Sequence, residues 1–217
     1  MDDLLKSSED KDHLYKITFG LALFTILYNI IEGLVSIYFG YKDESFSLFG
    51  FGVDSFIEAL SGLGIAHMVI RIRLEPDICR DSFERTALRI TGVAFYILAT
   101  GLFVTGTYNF LTGHKPESTF WGVIISAISI AVMWVLIYWK RRMGKTLNSE
   151  AILADAECTR VCVYMSVILL AASAIYELTK MPYIDAIGTF GLAYFSFKEG
   201  KECFEKVKNN KLCGCHQ

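Results

Sequence analysis

The chain has 217 residues, of which 53% are hydrophobic and only 20% charged, and its formal net charge is −2. Soluble domains contain about 25% charged residues and interrupt their apolar stretches more often. A net charge this close to zero excludes a strongly basic nucleic-acid-binding protein, and we expect no nucleic-acid partner. The composition indicates instead a chain that lies in a lipid bilayer.

Six apolar segments predict an all-α membrane protein, because a helix needs about 20 residues to cross a bilayer. They cover Ile17–Tyr41, Phe46–Ile70, Phe83–Leu111, Phe120–Trp139, Ala151–Leu178 and Tyr183–Phe197. The sixth is short and continues into a polar helix, KEGKECFEKVKNN. All three prolines, Pro76, Pro116 and Pro182, fall between these segments, where helix breakers are expected. We therefore predict a six-transmembrane-helix bundle over residues 17–197, with little room for a second domain.

Lysine and arginine residues predict the orientation of the bundle. They are concentrated after the second span, after the fourth span and in the last 20 residues, whereas the other three loops have one lysine each. By the positive-inside rule both termini face the cytoplasm, as an N-terminal tail (1–16) and a C-terminal tail (198–217). The first tail is too acidic for a cleaved signal peptide. We expect an integral multi-pass protein of the plasma (inner) membrane.

Two acidic residues lie four positions apart in the second span. Asp54 and Glu58 share one face of a helix, and no lysine or arginine lies within one turn of either. An ionisable residue at membrane depth costs at least ~2.5–3.5 kcal/mol on insertion scales, so it indicates function by default. We predict that this pair binds a metal ion or protons.

A matching pair of thiols, Cys158 and Cys162, lies four positions apart in the fifth span. Cysteine alone packs as a small hydrophobic residue, but Asp155 falls on the same helix face and favours ligation. Carboxylates and thiolates bind zinc and its neighbours. Glu157 lies off this face, so we expect it to be solvated or paired with Arg160. Two such helices side by side would present four ligands, which favours a metal transporter over an enzyme.

Other polar residues receive secondary roles. Glu32 in the first span and Asp155 in the fifth are predicted to support the site or to handle protons. Asn29 could form hydrogen bonds in the same region as Glu32. His67 is expected at the membrane interface, and Asp185 is expected to interact with the dipole of its own helix. Gly50 and Gly52 predict close packing of the second span against the metal-bearing span.

The chain ends in KLCGCHQ, where Cys213, Cys215 and His216 could capture a soft metal ion. The run lacks the paired spacing of a closed zinc site, so a flexible tail with incidental thiols is an equal alternative. Cys79 and Cys203 are expected to have no role in binding, and His114 to be solvated in a loop.

Three runs together resemble the membrane domain of the cation diffusion facilitator (cation efflux) transporters. They are GFGVDSFIEALSG, SEAILADAECTRVC and YIDAIGTFGLAYFSFKEGKECFEKV. The match covers nearly the whole chain and is closest to a compact subgroup without the cytosolic C-terminal domain. The resemblance implies that Asp54, Glu58, Cys158 and Cys162 bind one divalent metal ion tetrahedrally. It also implies that protons move in the opposite direction, and it leaves a homodimer open.

Two departures from the family pattern affect the expected ion and assembly. Thiols stand at the fifth-span positions where the family usually has histidine and aspartate, which moves the expectation from zinc toward softer ions such as cadmium. We expect zinc first, with cadmium, cobalt, iron or manganese as alternatives. About 20 residues after the last span cannot form the ferredoxin-like domain of many members, because small domains need about 40–60 residues.

The sequence leaves three functions open. The first is proton-coupled efflux of a divalent metal ion. The second is a metal-binding membrane protein with a sensing, storage or chaperone role and no net transport. The third is a helix-bundle scaffold or a channel for another solute, which the intramembrane ligand set disfavours.

Overall fold

The computed structural model describes residues 2–74, 81–113, 115–147, 150–181 and 183–208, although some side chains within these ranges lie outside the described set. Over these ranges the chain forms six α-helices and no β-strand. The helices are α1 (Asp2–Lys42), α2 (Phe46–Leu74), α3 (Asp81–Thr112), α4 (Phe120–Thr146), α5 (Glu150–Thr179) and α6 (Tyr183–Lys208). The predicted all-α class and the order of the helices are confirmed.

The predicted helix starts agree with the structure better than the predicted ends. Helices α2, α4 and α6 begin at the predicted residues, and α6 continues past Phe197 to Lys208 as a polar helix, as predicted. Helix α4, in contrast, continues beyond its predicted end at Trp139 to Thr146. Helix α1 begins at Asp2, within the segment predicted as a tail, because no glycine or proline interrupts residues 2–16. The apolar stretch marks the part of a helix suited to the bilayer and does not mark where the helix stops.

The outer surface of the bundle is apolar, as a lipid environment requires. Large hydrophobic side chains such as Leu111, Trp134 and Leu178 are 78%, 67% and 87% exposed. Five helical segments within the described residues are long and apolar enough to cross a bilayer: His13–Lys42, Phe46–Gly64, Arg89–Thr112, Phe120–Thr146 and Asp155–Thr179. The last half of α6 is strongly charged, so the sixth span and the orientation of the termini stay predictions.

The helices pack most extensively as three pairs, α1 with α2, α3 with α6, and α4 with α5. Gly52 allows the first pair to approach closely, because a Cβ atom there would lie 2.8 Å from the backbone nitrogen of Ile37. Gly50 faces the side chain of Leu102 on α3. The glycines were predicted to pack against the metal-bearing fifth span, and that prediction is wrong: they pack against α1 and α3.

The apolar core is formed where α2, α3, α5 and α6 meet. Its most buried members, each at most 1% exposed, are Leu48, Phe51, Met165, Leu169, Leu192 and Cys203. On α2, Asp54 lies less than one turn beyond Phe51, and Glu58 lies about two turns beyond it. The polar centre of the bundle is therefore continuous with its apolar core, which restricts the access of water to it.

Candidate metal centre

Asp54 and Glu58 lie on the buried face of α2, as their spacing predicted. Their side chains belong to residues that are 1% and 4% exposed. Ser55 and Ile57, which lie between them in the sequence, are also buried. Both carboxylates are therefore inside the bundle and do not face the lipid-exposed surface.

Helix α5 places Cys162 directly against this acid pair. The thiol of Cys162 donates to Oδ2 of Asp54 at a distance of 3.9 Å, and it also lies within interaction range of the Glu58 carboxylate. Cys162 is 5% exposed. The structure thus places the carboxylate pair against a thiol that follows Asp54 by 108 residues in the chain.

Each acid has one buried oxygen atom without a hydrogen-bond partner among the described residues. These atoms are Oδ1 of Asp54 and Oε1 of Glu58. A buried acceptor that lacks a partner costs about 1–3 kcal/mol, and more when it is charged. A metal ion or protons bound to these acids would supply the missing partners.

Cys158 precedes Cys162 by one turn of α5, and its side chain lies outside the described set. Its predicted role as the fourth ligand therefore stays a prediction. Among the described side chains, no group of three or more His, Cys, Asp or Glu residues is arranged to hold a metal ion. Gathering the acids and a thiol around one ion would thus require small side-chain movements or the contribution of Cys158.

Glu32 on α1 lies beside the acid pair, in the region predicted for it. Its carboxylate accepts hydrogen bonds from the Tyr28 hydroxyl at 2.8 Å and from the Ser55 hydroxyl at 3.1 Å. Ser55 is the residue after Asp54, and the charge of Glu32 acts on Asp54. Glu32 is 6% exposed, so a third buried acid stands next to the site.

Asn29 lies one turn before Glu32 and is fully buried. It was predicted to form hydrogen bonds in this region, and that prediction is wrong for the described residues. Both the oxygen and the nitrogen of its side-chain amide lack a partner there. The amide is positioned on the face of α1 that packs against α2.

Asp155 is part of a buried ion pair that the sequence did not indicate. Its Oδ2 atom lies 2.9 Å from Nζ of Lys140, and the two side chains are 5% and 3% exposed. The same ammonium donates to the Thr159 hydroxyl at 2.9 Å. Asp155 was predicted to support the metal site or to handle protons, and that role stays a prediction.

Lys140 was missed because the predicted fourth span ended at Trp139, which placed the lysine in a loop. The helix continues for seven more residues and keeps the same buried face. The buried residues of α4 recur every three or four positions, and they include Gly122, Ser126, Ser129, Met133, Leu136, Lys140 and Met143. Extending this spacing by one step beyond Leu136 would have identified Lys140.

A family comparison gives this arrangement its context. The model of the cation efflux transmembrane domain matches residues 21–207, which include α2 through α5 and nearly all of α6. This chain belongs to the cation efflux family. The resemblance inferred from the three sequence runs is confirmed, and the chain is a multi-pass integral membrane protein.

Two relatives are similar to this cation efflux chain at low identity. It is 26% identical over 170 residues to an uncharacterized transporter of Methanocaldococcus jannaschii, with 76% of this chain and 59% of the relative covered. It is 22% identical over 193 residues to the manganese efflux system protein MneP of Bacillus subtilis, with 84% and 64% covered. The alignments thus span less than two thirds of either relative.

Glu199 on α6 is a further buried acid that sequence reasoning missed. It is 2% exposed, and its charge acts on both Asp54 and Cys162. The predicted sixth span ended at Phe197, so Glu199 was assigned to a polar extension. Glu157, in contrast, pairs with Arg160 at 2.6 Å as predicted, and also with Arg141 at 2.7 Å.

Asp185 has a role beyond the one predicted. It lies in the first turn of α6, but its carboxylate accepts hydrogen bonds from the Ser45 and Ser47 hydroxyls and from two backbone N–H groups at the start of α2. The Asn109 amide of α3 also donates to it, at 3.1 Å. Asp185 thus joins three helices at the end of the bundle opposite Lys140.

The remaining predicted residues divide into two groups. His67 is exposed on α2, whereas Cys203 is fully buried on α6 against Gly92. Cys79, His114, Cys213, Cys215 and His216 lie outside the described residues. The proposed capture of metal by the C-terminal thiols therefore stays a prediction.

Proposed function

We propose that this chain exports a divalent metal cation through a site formed by Asp54, Glu58, Cys162 and Cys158. The observation that supports this most is the meeting of the α2 acids with Cys162 inside the bundle. Two carboxylate oxygens there have no described hydrogen-bond partner. Membership of the cation efflux family supports the direction of transport.

The donor atoms favour a borderline or soft metal ion. Thiolates prefer zinc and cadmium, whereas manganese prefers carboxylate and other oxygen ligands. With two thiols and two carboxylates the site should bind zinc or cadmium more tightly than manganese. The relative named for manganese efflux makes manganese the competing substrate, and a direct comparison of the three ions decides between them.

Exchange of metal for protons follows from the same ligands. Carboxylates and thiols must be deprotonated to bind a metal ion, so metal and protons compete for the site. Exposure to a compartment rich in protons would favour release of the metal, and exposure to a neutral cytosol would favour binding. A site that opens to both sides in turn would thereby couple metal efflux to proton movement.

The test is metal transport by the purified chain in proteoliposomes. With an imposed pH gradient, we expect zinc and cadmium to move faster than manganese, and the movement to slow when the gradient is abolished. Liposomes with the Asp54→Ala variant at equal protein content serve as the control. Binding of metal without transport under any gradient would overturn the proposal and favour a sensing or storage role.

A further inference from the structure

The ion pair between Lys140 and Asp155 is unusual because it is buried beside the proposed metal site. Taking two charges out of water is costly, and a buried pair is often no more stabilising than apolar residues of similar volume. Its presence at 2.9 Å, with both side chains at most 5% exposed, therefore calls for a reason other than stability.

The pair is electrostatically connected to Glu58. The charges of Lys140 and Asp155 both act on the Glu58 carboxylate, and the Thr159 hydroxyl lies within interaction range of it. Thr159 already accepts a hydrogen bond from Lys140 at 2.9 Å. The ammonium group thus contacts one carboxylate, that of Asp155, and its charge also acts on a second, that of Glu58.

A lysine is suited to move between two such partners. Its ammonium is a compact charge on a flexible four-carbon stem with three rotatable donors. One oxygen of Glu58, Oε1, has no described hydrogen-bond partner and could accept from it. A divalent ion bound to Glu58 would repel the ammonium, since like charges at short range in a low-dielectric interior repel strongly.

We propose that Lys140 is a built-in competitor of the transported metal, an inference that rests on the proposed function. The ammonium pairs with Asp155 when a metal ion occupies the site. When the ion leaves, the ammonium moves toward Glu58 and offsets the charge of the emptied carboxylates. Asp155 is the alternative partner that lets the lysine withdraw, and both are positioning residues rather than metal ligands.

This role predicts opposite effects for the two single variants. Asp155→Asn removes the alternative partner, so the ammonium stays at Glu58 and metal binds more weakly by roughly tenfold or more. Lys140→Met removes the competitor and leaves Asp155 charged, so metal binds more tightly by a similar factor. The double variant Lys140→Met/Asp155→Asn has neither charge and should return close to the wild-type affinity.

The experiment measures equilibrium binding of zinc, and separately of cadmium, to the purified full chain in detergent. A matched control is available on the same two helices, because Arg141 and Glu157 form a pair at 2.7 Å whose side chains are 41% and 39% exposed. Arg141→Met and Glu157→Gln should leave the affinity unchanged. If Lys140→Met does not insert, Lys140→Gln can still donate to Thr159 and should show the same increase.

A loss of affinity in both single variants would show a merely structural pair and overturn the inference. Unchanged affinity in both variants would overturn it as well. These outcomes differ from failure of the proposed function, in which the wild-type chain itself binds neither ion. Slower release of metal by Lys140→Met, measured by rapid chelation, would add kinetic support.

Discussion

The thiol of Cys162 lies 3.9 Å from a carboxylate oxygen of Asp54. The two residues come from different helices, and both are at most 5% exposed. When the thiol proton leaves, a metal ion can take its place and bind both the sulfur and the carboxylate. The predictions that follow test this arrangement and the residues around it.

Removal of either α2 acid should abolish transport. Asp54→Ala or Glu58→Ala takes away a charged ligand, and we expect metal transport in proteoliposomes to fall to the level of empty vesicles. The protein should still insert, because removing a buried charge does not hinder burial in the bilayer. Glu205→Gln, at an exposed position of α6, is the control; normal transport by Asp54→Ala would refute the site.

The thiols should determine which ion is preferred. Replacing Cys158 and Cys162 with serine exchanges soft donors for hard ones, so binding of cadmium should weaken more than binding of manganese. The measurement is the ratio of the two affinities. Cys203→Ser removes a buried thiol that packs against Gly92 and should leave this ratio unchanged. Equal losses for both ions would show that the paired thiols are packing residues.

The helical pattern and the acid pair could be predicted from the sequence, because each depends on local spacing. Apolar runs between prolines identify the helices, and a spacing of four places Asp54 and Glu58 on one face. The helix ends could not be predicted in this way. Polar residues can continue a helix as readily as apolar ones, and Lys140 and Glu199 were assigned to polar segments for that reason.

Contacts between helices were the less predictable part of the site. The partner of Asp155 is 15 residues away on another helix, and no local spacing links the two. The same holds for Asp185, which accepts hydrogen bonds from residues 138 and 140 positions earlier. Local spacing places Asp185 in the first turn of its own helix, but only packing shows that its carboxylate also accepts hydrogen bonds from the start of α2.

Asp185 should contribute strongly to stability. Asp185→Ala leaves the donors of Ser45, Ser47 and Asn109 without their shared acceptor. Hydrogen bonds to charged groups contribute about 1.5–3 kcal/mol each, so we expect the midpoint of thermal unfolding in detergent to fall by several degrees. Glu117→Gln, an exposed loop position, is the control. An unchanged midpoint for Asp185→Ala would contradict the role as a junction of three helices.

Truncation after Lys211 tests the C-terminal thiols. The variant lacks Cys213, Cys215 and His216 and leaves every described helix intact. If the tail collects metal, it raises the local concentration near the site in the manner of a tethered second binding group. Transport should then slow at low metal concentration and be nearly normal at saturation. A lower maximal rate would point to folding or assembly instead.

Glu32 should influence the coupling to protons more than the binding of metal. Its carboxylate is fixed by Tyr28 at 2.8 Å and by Ser55 at 3.1 Å, and no described contact joins it to Cys162. Glu32→Gln keeps the shape of the side chain, and the Ser55 hydroxyl can reorient to accept from the new amide. We therefore expect metal binding to weaken only slightly.

Transport by Glu32→Gln should depend less on an imposed pH gradient than transport by the wild type, because an amide cannot exchange a proton. Uptake of metal into proteoliposomes, measured with and without the gradient, gives this dependence directly. Tyr28→Phe removes one donor but keeps the acid, so it should retain the dependence and serve as the matched control. A loss of metal binding as severe as that of Asp54→Ala would instead make Glu32 a ligand of the ion.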